Sequence, residues 1–305
     1  MSSPSRRSRH RRSPFLGVLL SLIILLSCFA LFFFWKMADA KEANQKTTQT
    51  SSAISQVQET TEQAQQIENT SETETVTWTT QEQPVSIPIL MYHAIHVMAP
   101  EEAANANLIV APDIFESHIK RLKDDGYYFL SPEEAYRALT ENSLPAEKVV
   151  WLTFDDSLWD FYDYAYPILA KYGAKATNNV ITGTVNHEGN LTVEEMQEMK
   201  ANGISLQGHT VNHPDLEYST PDTQTSELSD SKTYLDQTFS QDTIAVAYPA
   251  GRYSDTTINI AQQLHYKLGV TTNEGVASAA NGLLTLNRVR MFPTTTADEL
   301  ISRIE

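Results

Sequence analysis

The sequence predicts an α/β fold built around a parallel sheet, open or closed into a barrel. Two observations predict it. From Ser86 onward, short apolar runs of strand length alternate with longer amphipathic or polar stretches, and repeated β-α units of this length build parallel sheets. The residues with chemical capacity, His93, Asp155, Asp156, His209, His213 and the Tyr248-Pro249 turn, all follow the C-terminal ends of predicted strands. That rim is where (β/α) barrels place their active sites.

Each element carries its own signal. Ile87-Pro88-Ile89-Leu90-Met91 reads as the first strand, and Asp113 to Lys123 as an amphipathic helix with Phe115, Ile119 and Leu122 on one face. Ser131-Pro132-Glu133-Glu134 is a capping box with proline at the first helical position. Val149 to Phe154 is a buried strand, followed by an aromatic helix through Tyr162, Tyr166 and Leu169 and a strand from about Ala174 to Ile181. Thr192 and Glu195 cap the next helix, and Ile204-Ser205-Leu206-Gln207 is the strand after it. A polar helix from about Thr220 to Phe239 leads to Ile244-Ala245-Val246-Ala247. A helix around Thr257 to Leu264 leads to Leu268-Gly269-Val270-Thr271. Arg288 to Met291 closes the set of strands, and Ala297 to Ile304 is a last short helix.

Chemistry concentrates at two points. Asp155 and Asp156 end an apolar strand, and 53 residues after Asp156 comes His209-Thr210-Val211-Asn212-His213-Pro214. Histidines at i and i+4 face one way on a helical turn or a tight loop, so both imidazoles reach one ion. One added carboxylate completes a two-histidine, one-carboxylate site with open positions. The adjacent carboxylate is then free to act as a base. Together these residues favour a metal-assisted hydrolase.

The chain has 305 residues, of which 86–305 read as one globular domain. Three regions precede it. Residues 1–13 are a basic cytoplasmic tail carrying Arg6, Arg7, Arg9, Arg11 and Arg12. Residues 14–36 read as a single-pass transmembrane signal-anchor; the uncharged run Phe15 to Trp35 would span about 31 Å as a helix. The basic flank stays inside, so the domain lies on the extracellular side of the cell membrane. The alternative is a secreted protein cleaved after Ala38-Asp39-Ala40. Residues 37–85, rich in Thr, Gln, Glu and Ser, read as a disordered stalk. Cys28 is the only cysteine, so the domain holds together without an internal disulfide. Of the overall charge of −16, residues 1–40 contribute +5, leaving −21 for the remainder. Such an acidic domain is a poor partner for nucleic acid.

These residues resemble the polysaccharide deacetylases, the NodB-homology group of carbohydrate esterases, over roughly Ile87 to Pro293. Thr153-Phe154-Asp155-Asp156 is similar to the family's first motif, which implies that Asp155 is the catalytic base and Asp156 a metal ligand. His209-Thr210-Val211-Asn212-His213-Pro214 is similar to the second, which supplies two metal-binding histidines. The resemblance implies a distorted (β/α) barrel of fewer than eight strands, and one divalent metal ion, usually zinc.

Two departures qualify the match. Many members carry an Arg-rich stretch before Pro-Tyr-Gly, where this chain has Ala245-Val246-Ala247-Tyr248-Pro249-Ala250-Gly251. The Pro-x-Gly turn persists, so Tyr248, Pro249 and above all the Ala250 N–H remain candidates for the substrate and oxyanion side of the site. The arginine that would steer Asp155 is missing there; Arg288 or Arg290 is the candidate replacement. The usual C-terminal Leu-x-His motif is also absent. Pro88-Ile89-Leu90-Met91-Tyr92-His93 resembles instead the circularly permuted branch, which includes deacetylases of poly-N-acetylglucosamine, and implies His93 as the acid. Trp159, Tyr162 and Tyr253 are candidates to stack on sugars, with core packing the expectation for Tyr162. His96, His118, His187 and His265 are expected as ordinary surface or core histidines.

The function these readings favour is removal of acetyl groups from an N-acetylated cell-wall or surface polysaccharide by a monomeric enzyme. The alternative is a surface adhesin or wall-binding module on a weakly active deacetylase scaffold, which would have no need of Asp155. A metallopeptidase finds no support, since no His-Glu-x-x-His occurs.

Overall fold

The structure, a computed structural model, describes residues 76–305. The segments expected as a basic tail, a transmembrane anchor and the first part of a stalk, residues 1–75, lie outside the described residues. Within 76–305, no helix is long and apolar enough to cross a membrane.

Seven parallel strands close into a barrel: β1 (Ile89–Tyr92), β2 (Val149–Phe154), β3 (Ala176–Val180), β4 (Ile204–Gly208), β5 (Ala245–Ala247), β6 (Leu268–Glu274) and β7 (Leu286–Arg290). Each pairs with its neighbours in chain order, and β1 lies between β2 and β7, which shuts the ring. The expectation of fewer than eight strands holds, and the distortion has a definite place. β4 and β5 share a single register pair, Gly208 with Val246. The Gln207 side chain fills the gap, its Oε1 accepting from Ile244 N–H at 3.0 Å and Ala245 N–H at 2.8 Å. A second irregularity falls between Val270 and Glu274, where β6 and β7 change register.

Helices form where the capping signals place them. The first is Pro112–Asp124; Pro132–Glu141, begun by the Ser131/Glu134 capping box, is the second. Thr192 with Glu195 caps Val193–Ala201, and Thr220 caps the long Pro221–Phe239. The aromatic helix differs from expectation: Phe161–Ala165 is a π-helical turn before Tyr166–Tyr172 takes α geometry. The segment Pro100–Leu108, on which the sequence carried no signal, is a 3₁₀ run.

Side-chain parity sorts the core into an outer and an inner layer. On β2, Val150, Leu152 and Phe154 join the helix-facing cluster, while Val149 and Trp151 join the barrel interior with Ile89, Ala245, Val270 and Leu286. The inward set continues upward as polar residues, Thr153 and then Asp155. The same alternation puts His93 above Ile89 and Met91, Asn179 above Thr177, His209 above Gln207, and Arg288 above Leu286. Period two in the strands is therefore what brings the site together.

Residues 76–85, expected at the end of the stalk, belong to the fold. Thr79–Thr80 pairs antiparallel with Ser143–Leu144, the buried Val85 donates its N–H to Asn142 Oδ1 at 2.9 Å, and Arg137 lies over the Trp78 ring at 4.3 Å. Only Trp78 and Val85 of this edge turn to the core, seven residues apart, so no strand period announces it.

Candidate active site

The two adjacent carboxylates serve different neighbours. Asp156 and Ser157 take left-handed backbone angles, φ 78° and 51°, so the chain turns sharply off β2 and the consecutive side chains diverge. Such angles cost a non-glycine residue about 1–3 kcal/mol and persist where surroundings enforce them.

Asp155 continues β2 inward and is buried. Arg288 grips it in a fork, Nη1 donating to Oδ1 at 2.9 Å and Nη2 to Oδ2 at 2.7 Å, while Asn179 Nδ2 donates to Oδ1 at 2.8 Å. Arg288 is itself held by its Nε donating to the Thr271 carbonyl at 2.7 Å and its Nη1 to Thr153 Oγ1 at 3.1 Å. Burial pushes the Asp155 carboxyl upward, but the Arg288 charge, His209 and the Arg288 hydrogen bonds outweigh it and hold the group far below the usual carboxylate range. Of the two candidate arginines, Arg288 is the one on Asp155; Arg290, one step nearer the rim, accepts at its carbonyl from Arg303 Nη1 at 2.6 Å.

Asp156 turns to the histidines. Its Oδ1 lies 3.3 Å from His209 Nε2 and 3.7 Å from His213 Nε2, and one donor atom from each of the three residues falls within 4.8 Å of the others. The histidine segment is a loop rather than a helical turn: Thr210 and His213 have φ 67° and 55°, and Thr210 Oγ1 accepts from His213 N–H at 3.0 Å. Glu227, from the Pro221–Phe239 helix, fastens the loop by accepting from Val211 N–H at 2.9 Å and Asn212 N–H at 2.8 Å.

This donor set fits a divalent metal ion. His209 Nδ1 lies 2.7 Å from the Ala247 carbonyl; donating there leaves the Nε2 lone pair facing the Asp156 carboxylate. Two acceptors facing one another at 3.3 Å need a cation between them, a metal or a proton. Burial lowers the His209 pKa, but the hydrogen bond to Asp156 and the charges of Asp155 and Asp156 raise it overall. For His213, burial and the His209 charge together lower it.

His93 stands over the same mouth, Nε2 3.9 Å from Asp155 Oδ2. Burial is the largest influence on it and leaves its pKa below the ordinary histidine value, despite the two aspartates.

The Pro249–Gly251 turn rises beside this group. Its hydrogen bonds run from Gly251 N–H to the Tyr248 carbonyl at 2.8 Å and from Arg252 N–H to the Pro249 carbonyl at 3.0 Å, leaving the exposed Ala250 outside the turn's own pairing. Gly251, at φ 70°, is obligatory, because a Cβ would meet Thr272 Oγ1 at 2.0 Å. Tyr248 contributes backbone only: its ring is buried among Leu216, Leu228 and Ile260, and Tyr253 packs on it at 5.3 Å.

Trp159 is 41% exposed and lines a cleft of about 350 Å³ together with His93, Asp156 and His96. A larger hollow of about 440 Å³, beside Lys175, Lys200 and Lys267, contains none of these residues. Tyr162 stacks on Tyr166 and donates to Glu198, as expected of a packing residue. His118 is a core residue bridging Tyr92 and the Thr295 carbonyl, and His187 and His265 are exposed. His96 is not an ordinary surface histidine. It sits in the cleft between Asp160 and Glu102, contacts that no local pattern announces.

Comparison with known proteins agrees with this geometry. A sequence profile described as polysaccharide deacetylase matches residues 142–269. The chain is 43% identical over 222 residues to YxkH of Bacillus subtilis (strain 168), covering 73% of this chain and 77% of that protein. It is 31% identical over 182 residues to the poly-beta-1,6-N-acetyl-D-glucosamine N-deacetylase of Staphylococcus aureus, covering 55% of this chain and 62% of that enzyme. Among solved structures it is similar to the Streptococcus pyogenes deacetylase PplD in complex with acetate, with 65% identity, a TM-score of 0.72, and coverage of 73% of this chain and 100% of that one. The chain belongs to the polysaccharide deacetylase family.

Proposed function

We propose that this protein is a metal-dependent N-deacetylase that removes acetyl groups from the N-acetylated sugars of a cell-wall or surface polysaccharide. The observation that carries the reading is the division of labour between adjacent carboxylates. Asp155 is clamped, ionised and buried under Arg288, while Asp156 faces two imidazoles with which it can share a cation. The naming of the S. aureus relative for a sugar-polymer N-deacetylase, and the acetate held by PplD, support the substrate class.

Asp156, His209 and His213 would hold the ion, which when bound supplies Lewis-acid polarisation of an amide carbonyl and acidifies water. The remaining roles fall to the chain's own groups. Asp155 Oδ2 takes the proton of the attacking water, because it accepts one hydrogen bond where Oδ1 accepts two. Arg288 makes that carboxylate a poor base in isolation, so it is ionised and fixed in place before the attack and holds the water's proton only in passing. His93 lies near enough to receive the proton after a small approach. A histidine with a lowered pKa surrenders a proton readily, which suits delivery to the departing amine. The Ala250 N–H is the donor assigned to the developing oxyanion.

Residues 1–36 complete the proposal: an uncleaved anchor that holds a monomeric catalytic domain on the outer side of the cell membrane, through residues 37–75 as spacer. The test is acetate release by the purified protein from poly-N-acetylglucosamine, peptidoglycan and chitin oligomers, with and without a chelator. Release from one of them, abolished by chelation and restored by zinc, is expected. No chelator-sensitive acetate from any would overturn the reading.

A further inference from the structure

The geometry points to His96 as a positioning residue that ties together the two walls of the substrate cleft and orients Trp159 as a platform for a sugar ring. One wall is the segment after β1. It leaves the barrel at His93, runs through the 3₁₀ stretch Pro100–Leu108, and returns where Ala94 and Ile109 bridge and Val110 N–H donates to the Ala94 carbonyl at 3.0 Å. The other wall is the turn after β2 that carries Trp159 and Asp160. No strand pairing joins Pro100–Leu108 to that turn.

His96 makes the connection through both ring nitrogens. Nδ1 lies 2.6 Å from Asp160 Oδ2, and Nε2 lies 3.1 Å from each oxygen of Glu102. Both carboxylates are anchored independently of the ring. Asp160 Oδ2 also accepts from Ile95 N–H at 2.8 Å, and Glu102 Oε2 from Ala99 N–H at 2.8 Å. A ring that donates from both nitrogens satisfies both acceptors together. Asp160, fully buried with Oδ1 lacking a partner, has no other side-chain donor.

Trp159 completes the device. Its ring lies nearly parallel to His96, centroids 6.1 Å apart and planes 21° apart, with the edge of Tyr164 at 5.9 Å. An imidazole held from both sides and stacked against the indole restricts the tilt of that ring. The cleft so bounded is about 350 Å³, within the range of small-molecule sites, with His93 and Asp156 among its lining. An exposed, oriented indole beside a hydrolytic centre suits the apolar face of a pyranose neighbouring the one being deacetylated.

This inference rests on the deacetylase reading, and steady-state kinetics separate the two. The zinc-loaded full-length protein is assayed for acetate release from a tetramer of N-acetylglucosamine. For His96→Gln, KM is expected to rise about tenfold while kcat changes less than about threefold. Trp159→Ala, an exposed site at which folding is not at issue, gives the same split, and Trp159→Phe restores most of the affinity. An unchanged KM in His96→Gln, whatever Trp159→Ala does, or a loss carried by kcat alone, overturns the tie while leaving the deacetylase standing. A wild-type protein that releases no acetate overturns both.

Discussion

Arg288 and Asp155 form a two-pronged ion pair, at 2.9 and 2.7 Å, with both side chains essentially out of contact with solvent. Arg288 spends four donor contacts on Asp155, Thr153 and Thr271, so the pair is a fixed part of the barrel mouth. Removing one partner strands a buried charge. Arg288→Met should therefore cost about 3–5 kcal/mol, read as a shift in the denaturant midpoint. The double variant Arg288→Met/Asp155→Asn should recover part of that loss while staying inactive. Equal stability of Arg288→Met and wild type would show that the clamp is not structural.

The same pair fixes a pH dependence. The Asp155 carboxyl is lower in the folded than in the unfolded chain, so its stabilisation is complete above the unfolded value of about 3.9 and fades only as pH falls through the depressed folded value. Stability lost between pH 7 and 4 must arise from other groups, and a titration of unfolding free energy should show it unchanged in slope when Asp155 is replaced.

Metal affinity should fall on acidification, beginning above the ordinary histidine range. His209 in the ion-free pocket binds its proton more tightly than a free imidazole, and the metal must displace that proton. Zinc affinity measured at pH 6, 7 and 8 should rise across the series. His209→Ala and His213→Ala should each lose the ion, because only three protein groups hold it; metal content unchanged in either would remove the assignment.

Much of this site was legible because strand parity is local. His93, Asp155, His209 and Arg288 each sit two residues beyond an inward-facing strand position, and that can be counted along the sequence. Parity could not choose between Arg288 and Arg290, which share a face; depth in the barrel decided it. Asn179, Glu227, Asp160 and His96 were not legible, since, apart from Glu102 six residues from His96, their partners lie 15 to 65 residues away and no periodicity links such positions. The histidine loop was half legible: the spacing brought both rings to one point, but left-handed angles at Thr210 and His213 depend on Glu227 holding the loop.

The anchor reading makes a separate prediction. Full-length protein should fractionate with membranes, and protease added to intact cells should release a fragment cut within residues 37–75. A mature N-terminus at Lys41 would identify a cleaved signal and refute the anchor.

Asp155→Asn separates the base from the ligand set. Asparagine keeps the volume and retains an oxygen for Arg288, and residue 155 contributes no atom to the three-residue donor set, so zinc content should match wild type. Acetate release should fall about 10²–10⁴-fold, the usual cost of a lost general base. His93→Ala should also retain the metal, because His93 contributes no atom to the three-residue donor set. It should slow the reaction as well, and more so for amides than for esters. An alkoxide leaves without prior protonation far more easily than an amine does, so an acetate ester of the same sugar should be spared much of the loss. Equal losses on ester and amide would place His93 in binding or water handling instead, and a wild-type rate in Asp155→Asn would end the assignment of that carboxylate as the base.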